Sequence, residues 1–521
     1  MQPAVGSYDQ VLKALAQTDR GSYGDLSYMP VFRASALFYA VSGKNITTRI
    51  AFLNYWREKN GNSDVGVMLT VRDAQGRKRA RVHTRLTDMT YNFDLRDHLA
   101  PGEEFRGSME LEAFSGDDLK FQFPGLSVFY ETPLGVSYVH TNQRVYNDAE
   151  DRRRGIALNP WQTGFEIDPS RFDPFIFIVN GPVAYAGGEV DFVALNARGE
   201  EARCKLPLEA LPAYGAVDLR LAAVPGFAEF LGGQPGLCKI DLPLQDVHLR
   251  LGVGNALKDH SWLSITHSYF DATEHDDYVD TSTLDAGVHP AFIPFNLTDG
   301  LDVDLVLYPI YARARMQMRL QAFDSAGLLR AEIDLGDYRT PEDGLRRIDV
   351  RGLLREHGVA SLSGLYVLQF SAGNHKLPAR ITYGLNFHVG GRLGTNISAS
   401  AYLAKSWGAG RRTWKWGPVV ARDGGRNLVM LSAFSKEKDA NLLRDGTVTL
   451  YGRQGMVARR VFALQGNSGL TVDAEELLAA AGHVAEAGEI LWYVVQSEHA
   501  TLDVNQVCIS AHGLVGGDHC F

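Results

Sequence analysis

Long hydrophobic runs, cysteines and an excess of positive charge are all missing from this sequence. No apolar stretch reaches the ~18 residues needed to cross a bilayer, so no membrane span is expected. The N-terminal MQPAVGSYDQVLKALAQTDR lacks a cationic start followed by an apolar core. A cytoplasmic protein is therefore the expectation. Four cysteines in 521 residues are too few for a disulfide framework. Local pairing of Cys204 with Cys238 and of Cys508 with Cys520 would need an oxidising compartment, and free buried thiols are the simpler reading. Basic residues number 52 against 61 acidic ones, a net charge of -9, which repels phosphate backbones and argues against a nucleic-acid partner.

Familiar catalytic signatures are missing as well. There is no Gly-x-x-x-x-Gly-Lys-Ser/Thr loop, no complete Gly-x-Gly-x-x-Gly, no Gly-x-Ser-x-Gly elbow and no His-Glu-x-x-His. Nucleotide-driven chemistry and serine hydrolysis of the usual kind thus lack support.

What the chain does have is a repeat. Segments 67–86, 190–208, 318–335 and 448–464 each read as an alternating strand, a four-residue turn and a second alternating strand. The turns are Asp73–Gly76, Asn196–Gly199, Asp324–Gly327 and Gly452–Gly455, with closing glycines 123, 128 and 128 residues apart. An Asp or Asn side chain can bond the turn backbone, and glycine accepts the positive φ that closes it. An aspartate follows each hairpin (Asp94, Asp218, Asp349, Asp473), leading in three cases into a short helical pattern that it can cap. A further apolar strand comes next.

Strands joined by short turns, without long helical patterns, predict a mainly β fold of four tandem antiparallel β-sandwich-like units packed into one body. The expected units are 31–147, 160–271, 288–400 and 426–521, preceded by a lead-in, 1–30, with a short helix over 8–18. Connectors rich in Pro and aromatics suggest that the units pack on one another.

The last strands of the units carry the most suggestive chemistry. His140 and His267 follow one another in VSYVHTNQR and LSITHSYFD, with Ser400 at the corresponding place in the third unit. His140, His267 and Asp271 are the catalytic candidates, because imidazole beside carboxylate is an acid–base pair. His267, His275 and Asp277 are candidate ligands for a divalent metal (Zn, Fe or Mn). Asn142, Tyr269, Trp414 and Trp416 are the binding candidates. The two tryptophans alternate with cations in RRTWKW, which suits sugar stacking, although packing of the third unit on the fourth explains them more simply. His388 reads as a strand-end residue over a glycine turn. The C-terminal Cys508, His512, Asp518, His519 and Cys520 do not match a structural-zinc spacing and read as a strand with a frayed polar tail.

The leading functional expectation is a non-catalytic binding or scaffold protein that presents a composite surface to a partner protein or a carbohydrate. The alternatives are an enzyme with its site in a groove between units, and a homo-oligomer assembled through exposed sheet edges.

Overall fold

The computed structural model describes residues 32–117, 119, 124–141, 164–181, 183–241, 250–267, 278–310, 312–360, 363–407, 412–438 and 442–521. The expected N-terminal helix lies outside them. The fold is mainly β, all pairings being antiparallel, and no helix among the described residues is long and apolar enough to cross a membrane.

Thirty-two of the 35 strands among the described residues fall into four sets; of the others, Tyr278–Asp280 pairs with Lys376–Pro378, and Tyr402–Leu403 adds a fifth strand to one sheet of the third set. The first comprises β1 (Phe32–Ser42), β2 (Thr47–Leu53), β3 (Val65–Asp73), β4 (Lys78–Arg85), β5 (Thr90–Asp94), β6 (Phe105–Ser115), β7 (Ser127–Thr132) and β8 (Gly135–His140). The second comprises β9 (Gly164–Ile167), β10 (Asp173–Val179), β11 (Gly188–Leu195), β12 (Glu201–Leu208), β13 (Ala216–Arg220), β14 (Gly236–Asp241), β15 (Arg250–Ala256) and β16 (Leu263–His267). The third comprises β17 (Ala291–Leu297), β18 (Asp302–Leu307), β19 (Ala314–Phe323), β20 (Leu329–Thr340), β21 (Arg346–Asp349), β22 (Gly364–Ser371), β23 (Thr382–His388) and β24 (Thr395–Ser400). The fourth comprises β25 (Thr413–Val420), β26 (Arg426–Ala433), β27 (Leu443–Gly452), β28 (Gly455–Gln465), β29 (Ser468–Asp473), β30 (Ile490–Ser497), β31 (Asp503–Ile509) and β32 (Val515–His519).

Within every set the same two sheets form. In the first, β1-β6-β3-β4 make one sheet and β5-β2-β7-β8 the other, and this order recurs in the remaining three. The repeated hairpins are β3–β4, β11–β12, β19–β20 and β27–β28. Their turns form for the anticipated reason: Asp73 Oδ1 accepts from the N–H groups of Gln75 (3.0 Å) and Arg77 (2.9 Å). Asn196 and Asp324 do the same in their own turns. Asp94, Asp349 and Asp473 cap the helical turns after them, whereas in the second set the cap position falls on Arg220 and has no side-chain cap bond.

The sets pack head to tail. In each joint, the first sheet of one set covers the second sheet of the next, and its hairpin turn abuts the loop that precedes the next set's fifth strand. Ala216 N–H donates to Ala74 O (3.0 Å) at the first joint, and Gly199 meets Gly344 at the second. At the third joint, a Cβ added to Gly327 would lie 2.6 Å from Gln465 O. The fourth turn comes back to the first set: Met89 N–H donates to Arg453 O (2.8 Å), and the Arg453 guanidinium pairs with Asp88 (2.7 Å). The chain thus closes on itself as a ring. At its centre β8 touches β16, β16 touches β24, β24 touches β32 and β32 touches β8.

Candidate functional site

A row of paired residues can be followed across each second sheet, starting from the helix-cap position. It reads Asp94, Arg49, Phe129, Tyr138 in the first set and Arg220, Phe175, Gly254, Ile265 in the second. In the third it reads Asp349, Asp304, Asn386, Asn396, and in the fourth Asp473, Leu428, Val507, Gly517. This row faces the preceding set. Only in the third set is it polar throughout, and there the joint opens into a cleft of about 630 Å³ between the second and third sets.

One guanidinium spans that cleft. Arg347, on β21, pairs with Glu166, which β9 contributes from the second set, and with Asp304 on β18 at 2.6 Å. Asn386 on β23 donates its amide to Glu166 and accepts from Asn396. His388 completes the wall: Nδ1 accepts from Gly391 N–H (3.2 Å), so Nε2 carries the proton and donates to Asp304 (3.2 Å). The glycine-turn reading of His388 therefore holds, but the ring also has an acidic partner that the sequence did not show.

The two carboxylates differ. Burial pushes the pKa of Glu166 up, with Arg347 and Asn386 only partly offsetting it. Burial acts on Asp304 in the same sense, yet the His388 hydrogen bond and Arg347 carry its pKa below the usual value. Five carboxylates and five guanidiniums line the cleft, which leaves it without a large net charge.

The candidates expected from the sequence fare unevenly. Moving two residues along the last strand from the end of each row gives His140, His267, Ser398 and His519, so the central position does repeat. The serine there is Ser398; Ser400, two residues on, pairs with Thr382. His140 is buried, and both its backbone N–H (2.8 Å) and its Nδ1 (2.7 Å) reach Asp518 Oδ2 of β32. Its ring centroid lies 4.2 Å from that of His519. Burial, and then the neighbouring His140, pull the pKa of His519 down to about 4. The C-terminal segment is thus no frayed tail: β32 sits at the ring's centre with Asp518 5% exposed. The backbone of His267 ends β16, while its side chain and residues Asn142, Tyr269, Asp271, His275 and Asp277 lie outside the described residues.

Trp416 is buried between Tyr55 and Phe521, with ring centroids 5.0 Å from each, and Trp414 sits beside it. Lys59 lies over both indoles. These tryptophans do pack units together, but they bind the fourth set to the first rather than the third to the fourth. The four cysteines are free thiols, and Cys238, Cys508 and Cys520 are buried.

Sequence reasoning passed over Glu166, Asp304, Arg347, Asn386 and Asn396. They come from five strands of two sets, and apart from Asn396, which opens the Asn-x-Ser triplet 396–398, none belongs to a local motif. A scan against protein-family models and a search of curated proteins found no match for this chain.

Proposed function

We propose that the protein is a non-catalytic binding protein built of four tandem β-sandwich-like units, and that the cleft between the second and third units takes a neutral, hydroxyl-rich ligand, a carbohydrate. The observation that carries this reading is the cross-unit network of Glu166, Arg347, Asp304 and Asn386. Carboxylates, guanidiniums and amides already fixed by one another present preorganised acceptors and donors, and sugar hydroxyls use both. Balanced charge disfavours phosphate and polycations alike. Half-buried Phe172 also lines the cleft, with the Arg171 guanidinium over its ring. Free thiols suit the reducing compartment expected from the sequence. Charged edge strands such as β4, with Lys78, Arg79, Arg81 and Arg85, count against assembly by edge pairing.

The test is a glycan array followed by calorimetry on the hits. A bound sugar whose affinity falls at least about tenfold in Asn386→Ala, a loss of ~1.4 kcal/mol, supports the reading. Absence of any sugar ligand, or undiminished binding in that variant, removes it.

A second reading draws on the opposed shifts of Glu166 and Asp304. Environments that push two carboxylates apart in pKa prepare one as an acid and the other as a base. Release of new reducing ends from a bound oligosaccharide, abolished in Glu166→Gln while binding persists, would favour an enzyme over a binding module.

A further inference from the structure

The joint between the fourth and first sets lies across the ring from the one just described, and it too opens into a cleft, of about 530 Å³. That size is ordinary for a small-molecule site. Its charge differs. Lys44, Arg49, Arg96 and Arg422 line it against only two carboxylates, Glu131 and Asp423. Counting Asp94, which pairs with both Arg49 (3.1 Å) and Arg96 (2.8 Å), four cations still meet three carboxylates. Burial pushes the pKa of Glu131 up, which thins the negative side further. The four cations are not equally committed. Arg49 is held by Asp94, by Glu131 (3.1 Å) and by the Gly488 carbonyl oxygen (2.9 Å), and Arg96 is held by Asp94. Arg422, between β25 and β26, spends one N–H on Thr132 O (2.7 Å) and has no other partner among the described residues. Lys44, exposed in the turn between β1 and β2, has none among them. A guanidinium from the fourth set and an ammonium from the first thus bring unspent donors to one cavity.

We propose that this cleft is a second ligand site, which takes a sugar acid: its carboxylate is recognised by Arg422, with Lys44 adding attraction, and its hydroxyls by the remaining polar wall. A guanidinium offers a carboxylate two N–H donors in a fork. The small excess of positive charge fits a monoanion, whereas a phosphate dianion would be left with negative charge facing Glu131 and Asp423. Those two carboxylates are in turn acceptors for hydroxyl groups. Arg49, fixed by three partners, stands where the third set has Asp304, so one shared position sets opposite charge in the two clefts. The proposal does not depend on what the cleft between the second and third units binds.

The test is calorimetry on the full chain at low salt, with glucuronate, glucose and inorganic phosphate as probes and an oligosaccharide ending in glucuronate to tell a free acid from a glycan terminus. One equivalent of the uronate, free or terminal, is expected, with glucose at least about tenfold weaker. Added salt should weaken uronate binding and leave glucose unaffected. Arg422→Gln should weaken the uronate at least about tenfold. Because Arg422 also bonds Thr132 across the joint, Lys44→Glu, on an exposed turn, serves as the second variant: at least about threefold weaker binding is expected, with an unchanged Tm. Asn386→Ala, in the other cleft, should leave uronate binding intact. Failure to bind uronate at about 10 mM, a concentration that would detect even a millimolar Kd, overturns the proposal. So does glucose or phosphate binding as tightly as uronate, or undiminished uronate binding in Lys44→Glu or in folded Arg422→Gln. A loss in Asn386→Ala would place the uronate in the other cleft and overturn it too.

Discussion

Four joints share one geometry but differ in how much polar surface they enclose. Between the first and second units, Tyr39 stacks on Phe177 with centroids 4.1 Å apart, and Phe175, Ala256 and Ile265 belong to the same apolar cluster as the first unit's core. Between the third and fourth, Leu428, Met430, Val507 and Val515 likewise join the third unit's core. Between the fourth and first, Trp416, Val420, Ile490, Trp492 and Val494 join the first set's cluster as well, and a smaller cluster of Val193, Leu195, Leu237, Val306, Tyr308 and Leu345 bridges the second and third. Polar groups gather beside these last two contacts: the Glu166–Arg347–Asp304 network at the second–third joint, and the cleft of about 530 Å³ at the fourth–first joint where Arg49 pairs with Asp94 and Glu131. Every joint of the ring is therefore partly oily, and two of them also carry wet seams. Corresponding positions carry opposite character across the wet seams: Asp304 matches Arg49, and His388 matches Glu131. A common framework has been kept for closure, and the seams are free to differ.

The contrast would be broken most forcefully at an oily joint. Phe177→Ala deletes a ring enclosed by both units and should cost about 3–5 kcal/mol, read as a lower denaturation midpoint. A loss under 1 kcal/mol would mean that the first two units are not one core. The turns allow a finer comparison. Gly76 (φ +75°) and Gly102 (φ +77°) share a left-handed backbone, but an added Cβ meets Ala213 O at 2.0 Å in the first and nothing within 4 Å in the second. Gly102→Ala should cost roughly 1–2 kcal/mol of backbone strain. Gly76→Ala should cost a further 1–3 kcal/mol, roughly, because it wedges the joint. Equal losses in urea titrations would deny the turn its docking role.

Much of this architecture was legible in the sequence because its devices are local. An aspartate two to four residues from the N–H groups that it accepts, and a glycine at the left-handed corner, are complete within a single turn. The four hairpins and three of the helix caps could therefore be read directly. Register could not. Side chains alternate with period two, so a slip of two residues keeps every face intact and leaves no trace in the pattern. That is why the central serine was placed at Ser400 rather than Ser398, and why Asp218 was aligned with Asp94, Asp349 and Asp473 although Arg220 holds the matching position. Contacts between units were further out of reach: Arg347 and Glu166 are 181 residues apart, and nothing in either neighbourhood announces the other. The aromatic connector at Trp414 and Trp416 implied packing, and both indoles do pack, but Trp416 could not reveal which set it would meet.

The smallest expected effect separates wet seams from oily joints by pH. Glu166 has a folded-state pKa above its ordinary value, so the folded protein holds this proton more tightly than the unfolded chain does. Its contribution is fully present below the unfolded pKa, near 4.3, and is lost as pH rises through the folded value. Glutamine keeps an acceptor for Asn386 and does not titrate. The stability of Glu166→Gln relative to wild type should thus increase from pH 4 to pH 7 in denaturant titrations. Glu131 in the other seam is raised by burial too, with Arg49 opposing it, so Glu131→Gln should trend the same way. Phe177→Ala, by contrast, should lose the same amount at both pH values. A flat difference for Glu166→Gln would show that Arg347 holds the carboxylate ionised in the folded state, making the seam a fixed ion pair rather than a titrating one.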